Sequence, residues 1–120
     1  MNSLDDLKSS IISQFGTPCS VIDLDIIESN IQRAQKICDA AGVANRPHIK
    51  THKSPLLAKM QINAGARGIT CQKLGEAEVM AKAGIDDILI ATNILGAARS
   101  GRLASLQKEL PLKVCADNHV

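Results

Sequence analysis

The segment that begins Gly68-Ile-Thr-Cys-Gln72, passes through Gly75-Glu-Ala-Glu78 and ends Asp87-Ile-Leu-Ile-Ala91 decides the fold. The short apolar runs at its two ends read as strands. Between them, Gly75 to Ala83 carries a helical pattern that Gly84 stops. Ile88-Leu89-Ile90 has no polar interruption, the pattern of a strand buried on both faces. Strand, helix and strand in that order give parallel neighbours joined by a right-handed crossover. The same unit recurs on either side. Upstream, Pro47 to Thr51 reads as a strand, followed by a helix with Ser54 as its cap, Pro55 at its first position and Gly65 after its end. Downstream, a helix from about Ala97 to Lys108, closed by Pro111, leads to a strand from Leu112 to Ala116. The fold class is therefore α/β, a parallel sheet flanked by helices, which is either an open doubly wound sheet or part of a barrel.

The chain before this repeat is organised differently. Leu4, Leu7, Ile11, Ile12 and Phe15 fall at helical spacing, with Ser3 as the cap and Gly16 as the stop, so residues 1–16 form an N-terminal helix. Thr17-Pro18 breaks it. Residues 17–45 supply an extended run, Cys19 to Leu24, and a helix through about Ala41 opened by a capping-box variant of Asp25 and Glu28. The expected buried stripe of that helix is Ile27, Ile31, Ala34 and Cys38. Residues 46–120 then hold four strands and three helices.

Composition narrows the function. The chain has 120 residues, 45% apolar and 22% charged, the makeup of one globular domain. Phe15 is the only aromatic residue, which argues against modules that stack nucleic-acid bases. The net charge of +2 comes from 14 basic and 12 acidic residues that are interspersed, so no footprint for nucleic acid or membrane is visible. Neither export nor a membrane span is expected, and the setting is expected to be cytoplasmic. Cys19, Cys38, Cys71 and Cys115 are too widely spaced for a zinc or redox motif, and read as small buried apolar residues.

In a parallel sheet the reactive groups gather at the carboxyl ends of the strands. Those ends are polar here: Lys50, Thr51 and His52; Cys71, Gln72 and Lys73; Thr92 and Asn93; Asp117 and Asn118. If Pro47 to Thr51 is extended, His48, Lys50 and His52 share one face while Ile49 and Thr51 take the other. A lysine held there away from water becomes nucleophilic toward an aldehyde, with the two imidazoles as proton carriers or ring supports. The plainer alternative is a lysine that caps a strand end and reaches solvent. Gln72 has two readings as well: it approaches a ligand, or it satisfies loop backbone groups. Arg99 and Arg102, one turn apart, either attract phosphate or form a solvated face.

Arg46-Pro-His-Ile-Lys-Thr-His-Lys-Ser54, preceded by Thr17-Pro-Cys-Ser-Val-Ile-Asp-Leu-Asp25 and followed by Gly68-Ile-Thr-Cys-Gln-Lys-Leu-Gly-Glu-Ala-Glu78, resembles the N-terminal part of the D-threonine aldolase and D-serine dehydratase family. These are pyridoxal-phosphate enzymes of the alanine racemase type. The resemblance runs from about Thr17 onward. It implies the N-terminal half of a (β/α)8 TIM-type barrel, with the cofactor aldehyde on Lys50 as catalytic residue and His48, His52 and Gln72 near the cofactor. Lys53 is the lesser candidate, because it lies an odd number of residues from Lys50.

What the resemblance implies for function is a lyase acting on D-configured β-hydroxy amino acids, assisted by a divalent metal. The metal ligands belong to a C-terminal β domain, so none is assigned to His48, His52, Cys115 or His119. The chain is expected to be a truncated form with little activity alone, whose open sheet invites a homo-oligomer or a complementing C-terminal polypeptide. The alternatives are a non-catalytic pyridoxal-phosphate carrier and an inert fragment.

Overall fold

A computed structural model describes residues 3–117. In chain order the elements are α1 (Leu4–Phe15), α2 (Leu24–Ala40), α3 (Pro55–Asn63), β1 (Ile69–Cys71), α4 (Leu74–Lys82), β2 (Ile88–Ile90), α5 (Ala97–Gln107) and β3 (Leu112–Val114). The strands form one parallel sheet in the order β1-β2-β3. Helices α4 and α5 connect them, as the repeat predicts.

Local chemistry sets the helix ends. Ser3 caps α1 through a reciprocal pair: its Oγ accepts the Asp6 N–H at 3.2 Å, and its own N–H donates to Asp6 Oδ2 at 3.0 Å. Ser54 Oγ accepts the Leu57 N–H at the start of α3, with Pro55 in the first turn. The cap of α2 differs from expectation. Asp23, not Asp25, accepts the Ile26 N–H, at 3.1 Å, so the helix starts before Asp25, and Asp25 becomes a first-turn acid facing the positive end of the dipole.

Register explains the core. Ile69, Ile88 and Leu112 form one cross-strand row, and Cys71, Ile90 and Val114 another on the same face. Ile69, Cys71, Ile88 and Ile90 are fully buried, in one cluster with Ile49, Ala58, Leu74, Ala77, Met80, Ile85 and Leu106. Each fully buried isoleucine contributes about 1.5–3 kcal/mol by leaving water. The intervening row of Thr70, Leu89 and Lys113 points the other way. Leu89 is only partly buried, so β2 is covered on one face rather than both.

Four further expectations are corrected. Pro47 to Thr51 is not a strand: it contributes a single parallel bridge, His48 to Thr70, and the chain turns at Lys50 to His52. Cys19 to Asp23 belongs to no strand. In α2, Ala34 is exposed and Gln35 is the buried residue, because Gln35 Nε2 donates to Asp39 Oδ1 at 2.8 Å and its Oε1 accepts from Asn45 Nδ2 at 3.1 Å. Cys19 and Cys115 are exposed and Cys38 is half-buried, leaving Cys71 as the buried thiol. The end of strand four at Asn118, and His119, lie outside the described residues.

The radius of gyration is 17.9 Å, against roughly 14 Å for a compact chain of this length. The elongation accompanies an N-terminal helix that buries no residue and leaves Leu4, Leu7, Ile12 and Phe15 exposed.

Candidate functional site

The turn after the His48 bridge is closed by backbone and imidazole together. The Ile49 carbonyl accepts the N–H groups of His52 (3.2 Å) and Lys53 (2.8 Å), and Lys53 adopts a left-handed φ of 50°. His48 Nδ1 accepts the Lys50 N–H at 3.2 Å, and His52 Nδ1 accepts the Ser54 N–H at 3.0 Å. With Nδ1 accepting, a neutral imidazole carries its proton on Nε2. His52 Nε2 and Gln61 Oε1 are both buried without a hydrogen-bond partner. Burial holds the His52 pKa below its ordinary value.

Lys50 is exposed. The expectation of an amine held away from water is therefore not met, because the chain turns at this residue instead of running on under a sheet. Its Nζ makes no hydrogen bond or ion pair among the described residues. Lys53 Nζ, by contrast, lies 3.7 Å from Glu76 Oε1. The two lysines thus differ in availability: one is free and one is held.

The polar strand ends do meet, in part. A cleft of about 620 Å³ at the ends of β1 and β2 is lined by Lys53, Gln72, Glu76, Thr92, Asn93 and Arg99, among others. Its frame is hydrogen-bonded. Thr92 Oγ1 donates to the Gln72 carbonyl at 2.8 Å, and Glu76 Oε2 accepts the Gln72 N–H at 2.8 Å. The Gln72 backbone satisfies the loop, which leaves its side chain on the cleft wall. Lys50, His48 and His52 do not line this cleft, and neither does Asp117. Arg102 forms a bidentate pair with Glu78, with Nε–Oε1 at 2.9 Å, so it is engaged rather than free for phosphate. Cys71 beside the cleft is no nucleophile: burial first, and then the Glu76 charge, pushes its thiol up from 9.0 to about 12.

The opposite ends of the strands carry a charge cluster that sequence reasoning missed. Arg46 Nη1 donates to Asp87 Oδ1 at 2.7 Å and to the Asp87 carbonyl at 3.3 Å, and Lys113 Nζ reaches the same Oδ1 at 2.6 Å. One arginine thereby ties the strand-like entry at His48 to β2, and the lysine adds β3. The Arg46 hydrogen bond first, with help from Lys113, lowers the Asp87 carboxyl from 3.8 to about 2. Between those values the unfolded chain binds a proton that the folded chain does not, so this contribution is complete above pH 4 and is lost as pH falls toward 2. Acid titration followed by circular dichroism should show stability falling in that window. Asp87→Asn should flatten the fall.

The described residues form an open three-stranded parallel β/α sheet with its polar strand ends gathered at one side, an arrangement that fits part of a β/α barrel. Residues 22–115 match the family described as alanine racemase, N-terminal domain, and the chain belongs to that family. It is 41% identical to a D-threonine aldolase of an Arthrobacter species over 89% of this chain and 28% of that protein. It is 43% identical to a D-threo-3-hydroxyaspartate dehydratase of Delftia over 85% of this chain and 27% of that protein. The crystal structure of a D-threonine aldolase from Filomicrobium marinum superposes with a TM-score of 0.82 at 40% identity, over 85% of this chain and 28% of that one. The chain thus spans between a fifth and a third of the relatives it matches.

Among the described residues, no group of three or more His, Cys, Asp and Glu side chains could hold a metal ion, and no helix is long and apolar enough to cross a membrane.

Proposed function

We propose that these residues form the cofactor-lysine portion of a pyridoxal-phosphate-dependent lyase acting on D-configured β-hydroxy amino acids, by aldol cleavage or dehydration. Support comes from the likeness to aldolases and dehydratases of that substrate class. The observation that carries the reading is the free amine of Lys50 within the block Arg46 to Ser54. Lys50 makes no ion pair among the described residues, whereas Lys53 lies 3.7 Å from Glu76, so the Lys50 amine meets an aldehyde without giving up a contact.

The cofactor, when bound, supplies an electron sink for the bond broken beside the substrate amine. The chain's own residues do the rest of what is proposed here: Lys50 tethers the aldehyde, and the Lys50 turn and the Gln72 wall frame it. The divalent metal, the choice of substrate side chain and most of the turnover are assigned to the part of the relatives' fold that these residues do not match. The setting proposed is cytoplasmic.

The test is direct. The purified chain is mixed with pyridoxal phosphate, reduced with borohydride and digested. The expected result is one pyridoxyl-modified peptide containing Lys50, with little release of glycine and aldehyde from D-threonine. No adduct would favour an inert fragment. An adduct without turnover, even after complementation with the remainder of a relative, would favour a carrier.

A further inference from the structure

We propose that His48 and His52 are positioning residues for Lys50, acting as paired acceptors that fix the turn presenting its amine; this rests on the reading of Lys50 as the cofactor lysine. Each imidazole does the same thing at the same spacing. His48 Nδ1 takes the N–H of Lys50 and His52 Nδ1 takes the N–H of Ser54, in each case two residues on.

The two bonds bracket the turn. On one side the chain is anchored by the His48–Thr70 bridge, and on the other by α3, whose first turn Ser54 caps through Leu57. Between them, Ile49 accepts two backbone donors, and Lys53 sits at a positive φ that costs a side-chain-bearing residue energy. A turn containing such a residue persists only when its surroundings over-determine it. The two imidazoles supply that constraint at its first and last N–H.

The chemistry required of each ring is acceptance at Nδ1, which any acceptor of similar reach reproduces. Asparagine is that acceptor: its side-chain oxygen bonds the backbone N–H two residues on. A proton-carrying or ring-supporting role, in contrast, needs the imidazole itself.

The experiment compares His48→Ala, His48→Asn, His52→Ala and His52→Asn in the full chain by two readouts. The first, without cofactor, is amide hydrogen exchange at Lys50 and Ser54. The second is the rate of borohydride-trappable pyridoxal-phosphate adduct at Lys50. Each alanine variant is expected to lose about fivefold protection at its own amide, the worth of one hydrogen bond, and to slow adduct formation by a similar factor. The asparagine variants restore both. Alanine variants with unchanged protection would overturn the proposal, as would asparagine variants that regain protection but not adduct rate. If the wild-type adduct lies elsewhere, the Lys50 reading fails while the exchange data still decide the clamps. If His52→Ala does not fold, the His48 pair still decides.

Discussion

Gly68→Ala is expected to cost roughly 3 kcal/mol or more, the upper end of what overpacking costs in a close-packed core, and to abolish a cooperative thermal transition. A Cβ at position 68 would lie 2.3 Å from the Asp87 carbonyl oxygen, 2.6 Å from Arg46 Nη1 and 2.8 Å from Asp87 Cβ. The first of these is backbone. The Asp87 carbonyl accepts the Ile69 N–H at 3.0 Å, so moving it away opens the first rung between β1 and β2. The second is the arginine that joins the His48 segment to β2. No rotamer of the new methyl relieves either contact, because Cβ is fixed by the backbone. Differential scanning calorimetry of the variant beside Gly75→Ala makes the comparison clean, since nothing lies within 4 Å of a Cβ at Gly75. A Gly68→Ala transition within 2 °C of the parent would show that the close approach carries no energetic weight.

That cluster also marks where sequence reading stops. Ser3, Ser54, Gly16 and Gly65 announce helix ends because capping is decided within a few residues, and the parallel order of β1, β2 and β3 follows from alternation alone. Arg46 and Asp87 are 41 positions apart, and no local pattern links them. The Lys50 turn fails for another reason. His48-Ile49-Lys50-Thr51-His52 alternates as a strand should, but Ile49 spends its carbonyl on His52 and Lys53, and the imidazoles spend Nδ1 on nearby N–H groups. Local side-chain acceptors compete with ladder formation, and alternation does not register that competition. The same competition shifts the start of α2, where Asp23 captures the Ile26 N–H before Asp25 can act as cap. At the rim, Gln72, Thr92 and Asn93 were readable as strand ends. Their joining with Lys53, rather than Lys50, depends on the turn.

Lys50→Ala is therefore expected to remove most of the trappable pyridoxal-phosphate adduct, about fivefold in labelling, the weight of an exposed ion pair of about 1 kcal/mol at Lys53, while Lys53→Ala retains most of it. The expectation follows from the state of the two amines. Lys53 Nζ has a carboxylate 3.7 Å away, and Glu76 in turn holds the Gln72 and Lys73 N–H groups at the start of α4. Condensing Lys53 with an aldehyde disturbs a pair whose lysine is 61% exposed, worth at most about 1 kcal/mol, while Glu76 keeps its two backbone donors. Lys50 gives up no ion pair among the described residues when it reacts. Proximity favours the opposite result, since Lys53 borders the 620 Å³ cleft and Lys50 does not. Ion pairing and proximity thus favour different lysines in one measurement, the position of the modified lysine after borohydride reduction and peptide mapping. Label on Lys53, persisting in Lys50→Ala, would show that the cleft and not the free amine selects the tether. The block Arg46 to Ser54 would then act as the support of the turn, with Lys53 as its reactive residue.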